Sequence, residues 1–423
     1  MRDIKMKGFL ELISIEEALE RFFSSVELVR PEVEQVEIGD ALGRVIAEDV
    51  HSEWDVPPFD RAAMDGYAAR SDDTVGASLT NPLVLRVIGI SDMGRRSDVA
   101  VGRFEAVRVS TGAPMPDGAD SVIMIEYTHE LDSDRIEIYR SLTPYKNVSA
   151  QGEDVKKGER VLKNSTILQP HDIGILAAVR RRRIKVLKKL NIAVLSTGNE
   201  LVDLREEAAS GKIIDINRHT LIALVKEIGC EPIDLGIATD RLEDIKLKIG
   251  EGTKSADIVV VSGGISVGIK DLVSEAVNTL GKPGVIAHGI SMRPGMPSAL
   301  AAVDNKPVIL TPGNPVAAII AFNTFVRPIV AKILGISTGH VKGQIIKARM
   351  TRKAPSQTGL RTFLRVVIEK RDEGFLAEPV RTSGAGIISS LVRANGMVTI
   401  PEWKEGLEQG EEVDVELLRP LER

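Results

Sequence analysis

The sequence predicts a multidomain chain of mixed α/β and β class, built around a central doubly wound α/β domain. Beside it stand a mixed N-terminal domain, a β-rich inserted domain and a C-terminal β-barrel-like domain. Three observations lead there. Strand and helix patterns alternate from Asn191 to Leu334, which implies a parallel sheet with helices on both faces. Short alternating strands with dense turn residues fill 51–146. Short strands return after residue 338. The 423 residues divide accordingly into 1–50 with 147–184, then 51–146, 185–337 and 338–423.

Composition excludes several classes. A hydrophobic share of 43%, a charged share of 27% and a net charge of −5 describe a globular chain, not a general nucleic-acid binder. The basic cluster Arg180–Arg183 with Lys185, Lys188 and Lys189 reads as a solvated junction. Cys230 stands alone, so no internal disulfide forms, and the six histidines lack zinc spacing. With no signal peptide and no long uncharged apolar segment, a cytoplasmic protein without a membrane span is expected.

Taken in order, Ser14-Ile15-Glu16-Glu17 opens an amphipathic helix over 16–26 as a capping box. The loop Trp54 to Ala68 follows. Its prolines impose an extended entry, and Asp55, Asp60, Arg61 and Asp65 cluster behind them. It is either a rigid polar turn or a carboxylate-rich site for a divalent cation or hydroxyl-rich ligand. Strands follow at 83–88, 106–109 and 121–125. Between the last two, the loop around Thr111 reads by itself as a connector. A helix begins near Pro170.

In the α/β unit, strands are expected at 192–195, 213–216, 233–237, 285–290 and 308–310, with Asn217 as N-cap of a helix over 218–228. The apolar strand Ile258–Ser262 leads into Gly263-Gly264 and a helix over 272–280. Glycines permit close backbone approach, and a helix N-terminus with unpaired N–H groups suits an oxyanion. Neither the P-loop nor the Rossmann spacing is present. Glu200, Asp240, Gly263, Gly264, Asp271, Arg293, Pro312 and Pro315 all map to the carboxyl ends of these strands, where open α/β sheets bind ligands. A helix over 316–334 closes the unit; its apolar run is too short and interrupted for a membrane span.

Six ordered motifs then point further. Pro57-Pro58-Phe59-Asp60-Arg61-Ala62-Ala63-Met64-Asp65-Gly66-Tyr67, Thr111-Gly112-Ala113-Pro114, Gly152-Glu153-Asp154, Ser196-Thr197-Gly198-Asn199-Glu200-Leu201, Ser262-Gly263-Gly264-Ile265-Ser266-Val267-Gly268 and Pro312-Gly313-Asn314-Pro315 closely resemble the molybdopterin molybdenumtransferase family, which holds MoeA and the E domain of gephyrin. The resemblance covers essentially the whole chain and makes the α/β domain a molybdopterin-binding domain. It implies an elongated homodimer of four-domain subunits. These would take adenylylated molybdopterin and molybdate with a divalent cation such as Mg2+, insert the metal into the dithiolene and release AMP. The upstream adenylyltransferase and recipient molybdoenzymes become candidate partners.

By motif match, Asp65 and Thr111 would face the family's cleft from one subunit. Glu200, Asp240, Asp271, Arg293, Pro312 and Pro315 would face it from the other. The resemblance makes Asp65, Glu200 and Asp271 the catalytic and metal-binding set. Substrate would meet Thr111, Asp240, Ser262, Gly263, Gly264, Ser266, Arg293, Pro312 and Pro315. The glycine-loop N–H groups and Arg293 are expected to hold the oxyanions, because carboxylates repel them.

One departure concerns charge. The family usually shows Lys-Pro-Gly-Lys-Pro where this chain has Arg293-Pro294-Gly295-Met296-Pro297, and Gly289 replaces a further lysine. Lys270 is a candidate to compensate. Rival readings are a tungstate-inserting homologue, the preceding adenylyltransferase, and a non-catalytic scaffold of the gephyrin kind.

Overall fold

The computed structural model describes residues 12–95, 97–206, 210–265, 271–337, 343–372, 374–380 and 384–421. The chain forms two compact units, one of residues 35–186 and one of residues 1–34 with 187–423. It enters through α1 (Ile15–Ser25), where Ser14 Oγ accepts the Glu17 N–H at 3.1 Å. Ile15, Ala18 and Phe22 recur at helical spacing and are buried.

The smaller unit carries a sheet of β1 (Gly66–Ala69), β2 (Leu83–Ser91), β3 (Glu105–Val109), β4 (Ser121–Met124), β5 (Thr128–Glu130) and β6 (Arg135–Ile138). Their order is β4-β1-β3-β2-β6-β5, and only the β2–β3 pairing is parallel. Period-two alternation sends Tyr67, Leu85 and Ile123 into one core and Val107, Val109 and Val122 into another. A third core joins Ile46 and Val50 to Leu162, Leu168 and Leu176, the last on α2 (Pro170–Ala178). The basic cluster is exposed and ion-paired, with Arg182 and Arg183 on Glu37 and Arg181 on Glu53.

In the larger unit, β7 (Asn191–Thr197), α3 (Ile216–Glu227), β8 (Glu231–Ala238), α4 (Leu242–Ser255), β9 (Ile258–Ser262), α5 (Leu272–Leu280) and β10 (Pro283–His288) alternate. The short β11 (Met292–Arg293) follows, then β12 (Ala299–Val303) and β13 (Lys306–Thr311). Among the described residues the main sheet is six-stranded, ordered β8-β7-β9-β13-β12-β10. It is not wholly parallel as expected: β12, which the sequence reading passed over, pairs antiparallel with both its neighbours, β10 and β13, and so runs against the other five strands. Ile213–Ile214 also departs from expectation, pairing with Leu201–Val202 outside the main sheet. The chain leaves β7 toward β8 and leaves β9 toward β10, so a crevice opens between the ends of β7 and β9.

α6 (Pro315–Ala321), a π turn (Phe322–Val326) and α7 (Arg327–Leu334) form one long helix. At 20 residues and a mean hydropathy of 1.6 it is long and apolar enough to span a membrane, contrary to the expectation from sequence. Yet 67% of that window is buried inside the protein, where Val316, Ile320 and Phe325 pack. It passes the test as a core helix does.

The last region is a barrel. β14 (Ile345–Met350), β15 (Arg361–Arg371), β16 (Gly374–Pro379), β17 (Gly396–Ile400) and β18 (Glu412–Leu417) run β15-β16-β14-β18-β17, and a β15–β17 pairing closes the ring. Val366, Ile368, Val398 and Val415 fill it.

Candidate functional site

The carboxyl ends of β7, β9 and β13 converge. Ser196, Ser262 and Thr311 stand in register across these strands as a row of buried hydroxyls. Beyond them the backbone turns at Gly263 (φ 90°) and Gly264 (φ 64°). A Cβ on Gly264 would lie 2.4 Å from Thr197 Oγ1, and one on Gly263 would lie 2.5 Å from the Thr197 carbonyl oxygen. Only glycine meets both demands.

The turn differs from its sequence-based reading in one respect. The Gly263 N–H donates to Thr311 O at 3.1 Å, and the N-terminus of α5 is capped by its own Asp271. Asp271 accepts the Ser274 N–H at 3.0 Å and the Ser274 hydroxyl at 2.7 Å. These donors are therefore not presented to an oxyanion. Ser266 and Lys270 lie outside the described residues.

Asp271 also has His288 at 3.6 Å, from the end of β10. Burial holds the His288 pKa below its ordinary value, against the upward pull of the Asp271 carboxylate. At the ends of β7 and β8, Asp240 accepts the Asn199 N–H at 3.0 Å while its own N–H reaches Asn199 Oδ1 at 3.1 Å. Glu200 beside them is exposed, its carboxylate folded back over Gly198.

Arg293, Pro312 and Asn314 line a cleft of about 680 Å³ whose other wall is the barrel, through Ser356, Thr362 and Arg365. Met296 lies in the same lining, where the family's lysine would add charge. Arg365, only 3% exposed, supplies a cation that the sequence reading missed. Its signal was a lone charge inside the apolar run Phe363 to Ile368. Gly289 is not in this lining; its N–H donates to Ser298 O at 3.3 Å.

In the smaller unit, Asp65 Oδ1 accepts both the Thr111 N–H at 2.6 Å and the Thr111 hydroxyl at 2.9 Å. Those two bonds hold the Asp65 pKa below the usual carboxylate value. The neighbouring acids anchor backbone: Asp60 accepts the Gln151 N–H, and Asp55 accepts the Lys157 N–H and the Gln151 amide.

Among the described residues no three His, Cys, Asp or Glu side chains gather to hold a metal. The described residues of either unit thus do not build a closed protein cage for Mg2+. Magnesium usually takes one or two carboxylates and completes its octahedron with water and substrate phosphate. Glu200, exposed and with a carboxylate that accepts no hydrogen bond from the described residues, fits that pattern, whereas both Asp271 oxygens are engaged by Ser274.

Three family profiles match successive stretches. They are the MoeA N-terminal region (domain I and II) over 13–179, a probable molybdopterin binding domain over 193–332, and the MoeA C-terminal region (domain IV) over 347–418. A molybdopterin molybdenumtransferase of Staphylococcus aureus is 34% identical over 95% of each chain. That of Bacillus subtilis is 32% identical over 92% of this chain and 90% of its own. A crystal structure of a molybdopterin biosynthesis moeA protein from Pyrococcus horikoshii superposes with a TM-score of 0.83 at 34% identity, covering 96% of this chain and all of that one.

Proposed function

Because this chain belongs to the molybdopterin molybdenumtransferase family, we propose that it inserts molybdenum from molybdate into adenylylated molybdopterin and releases AMP, forming molybdenum cofactor. The observation that carries the reading is the cleft of about 680 Å³ in which Arg293 and the buried Arg365 stand beside the Pro312–Pro315 loop. A guanidinium forks two donors toward two oxygens, which suits a tetrahedral oxyanion.

The remaining roles follow from charge. Glu200 and Asp240 sit where like charge would repel an oxyanion, so they serve pterin N–H groups or a magnesium ion shared with substrate phosphate. That ion, when bound, neutralises charge on the phosphoanhydride. Asp271 fixes the start of α5, whose Val273 packs against Gly264. Asp65 orders the Thr111 turn by taking its N–H and hydroxyl proton, which leaves the Thr111 hydroxyl oxygen as an acceptor for substrate. The two thiolates that take up the metal belong to the substrate, so no protein thiol is needed; Cys230 is buried, its pKa pushed up to about 12. The homodimer implied by the family is part of the proposal.

AMP release from adenylylated molybdopterin, followed with magnesium and either molybdate, tungstate or neither, tests the reading. Molybdate-dependent release supports it, and a strong tungstate preference changes only the metal. Substrate binding without oxyanion-dependent release would leave a binding or scaffolding protein. Arg293→Ala should raise the KM for molybdate roughly tenfold to a hundredfold, the worth of a charged hydrogen bond.

A further inference from the structure

Asn217 stands in the first turn of α3, but it does not cap that helix. Asp215 does, accepting the Arg218 N–H at 3.2 Å. The Asn217 side chain is thereby free to cross toward the crevice. Its Nδ2 donates to Ser262 Oγ at 2.8 Å and to Gly313 O at 2.8 Å. The second acceptor is a carbonyl, which settles the amide orientation. One side chain thus ties the end of β9 to the loop that follows β13.

That loop is the wall between two spaces. Pro312 and Asn314 line the Arg293 cleft, while the Gly313 carbonyl turns to Asn217. On the far side the loop is fastened again, where the Val316 N–H donates to Ala385 O at 3.1 Å. Gly313 faces the Gly263 turn, where a Cβ on it would make ordinary van der Waals contact with Gly263 Cα at 3.5 Å. Ser262 Oγ in turn donates to Pro312 O at 3.5 Å, so Asn217 and Ser262 together hold the loop at two successive carbonyls.

Asn217 Oδ1 is buried and accepts no hydrogen bond from the described residues, and the residue is 8% exposed. Leaving a buried acceptor unpaired offsets much of what the two donated bonds contribute.

We propose that Asn217 is a positioning residue for the oxyanion cleft. It never touches the oxyanion, but by holding Gly313 it sets the distance between Pro312 and Arg293. The inference rests on the cleft's being the molybdate site. Displacing a wall by a fraction of an ångström degrades a site built for one small tetrahedral ion.

The test uses the full-length protein, its thermal midpoint, and molybdate binding by equilibrium dialysis. Asn217→Ala removes the side chain; Asn217→Leu keeps its volume without donors. Both should fold with nearly the native midpoint, yet bind molybdate roughly tenfold to a hundredfold more weakly. In turnover the molybdate KM should rise while kcat at saturation changes little. A folded variant of either kind with native molybdate affinity overturns the proposal. So does loss of binding that only tracks loss of folding in both. If the unaltered protein binds no molybdate, the functional reading itself fails first and takes this one with it.

Discussion

Asp65 holds its turn through one oxygen, and the cost of losing that charge can be read directly. Two hydrogen bonds from Thr111 lower its pKa, so the ionised form is favoured in the folded chain. The contribution is complete above about pH 3.9, the unfolded value, and disappears as pH falls through the lowered folded value. The Thr111 amide should therefore lose protection from hydrogen exchange in acid, relative to its intrinsic rate. In Asp65→Ala it should be unprotected at every pH. Residue patterns alone read the Thr111 loop as a connector, and only the resemblance of the ordered motifs set Thr111 beside Asp65. Asn217 was not legible in the sequence, because capping preference alone cannot choose between Asp215 and Asn217, two residues apart. Nor was Arg365, whose burial comes from the cleft on the face of β15 opposite the Leu364, Val366 and Ile368 core.

At the level of elements, α3 shows how much one buried cation can hold. The Arg218 side chain, 7% exposed, pairs with Asp203, with Asp215 at 3.3 Å and with Asp234 at 3.1 Å. It thereby joins the helix to β8 and to the segment after Leu201–Val202. Arg218→Ala leaves these acids without their cation and should destabilise the larger unit by about 3–5 kcal/mol at pH 7, measured by urea unfolding. Asp203 carries a lowered pKa, owing first to the Arg205 N–H and then to Arg218. That part of the stabilisation is present above the ordinary carboxylate pKa and is lost as pH falls through the lowered one, so the two proteins should converge in acid.

Elements with a strong period were legible. α5 begins and ends where its apolar pattern predicts, and α1 begins beside its serine cap. β12 was not, because Ala299–Val303 is a run of small apolar residues with no alternation, and its direction depends on a pairing with β13 that no local signal encodes.

For the whole molecule, the informative feature is where the chain crosses between units. Lys188 N–H donates to Glu32 O at 2.8 Å, and its ammonium reaches the Glu32 carboxylate at 2.7 Å. The two ends that border the smaller unit are thus adjacent within the larger one. Replacing residues 35–186 by a short Gly/Ser linker should leave a chain that folds with its own sheet, long helix and barrel. Circular dichroism with a cooperative thermal transition would check it; a molten product would show that the larger unit depends on the smaller.

The same crossing imposes an order on biosynthesis. α1 buries Ile15, Ala18 and Phe22 by packing on β10 and β12, strands encoded after residue 282. At ribosomal elongation rates the helix waits roughly 10–50 s for those strands to emerge. Throughout that interval its apolar stripe is exposed, while residues 35–186 are already able to fold between them. The nascent chain therefore offers a chaperone one early, predictable handle in α1. Only the arrival of the central sheet closes it.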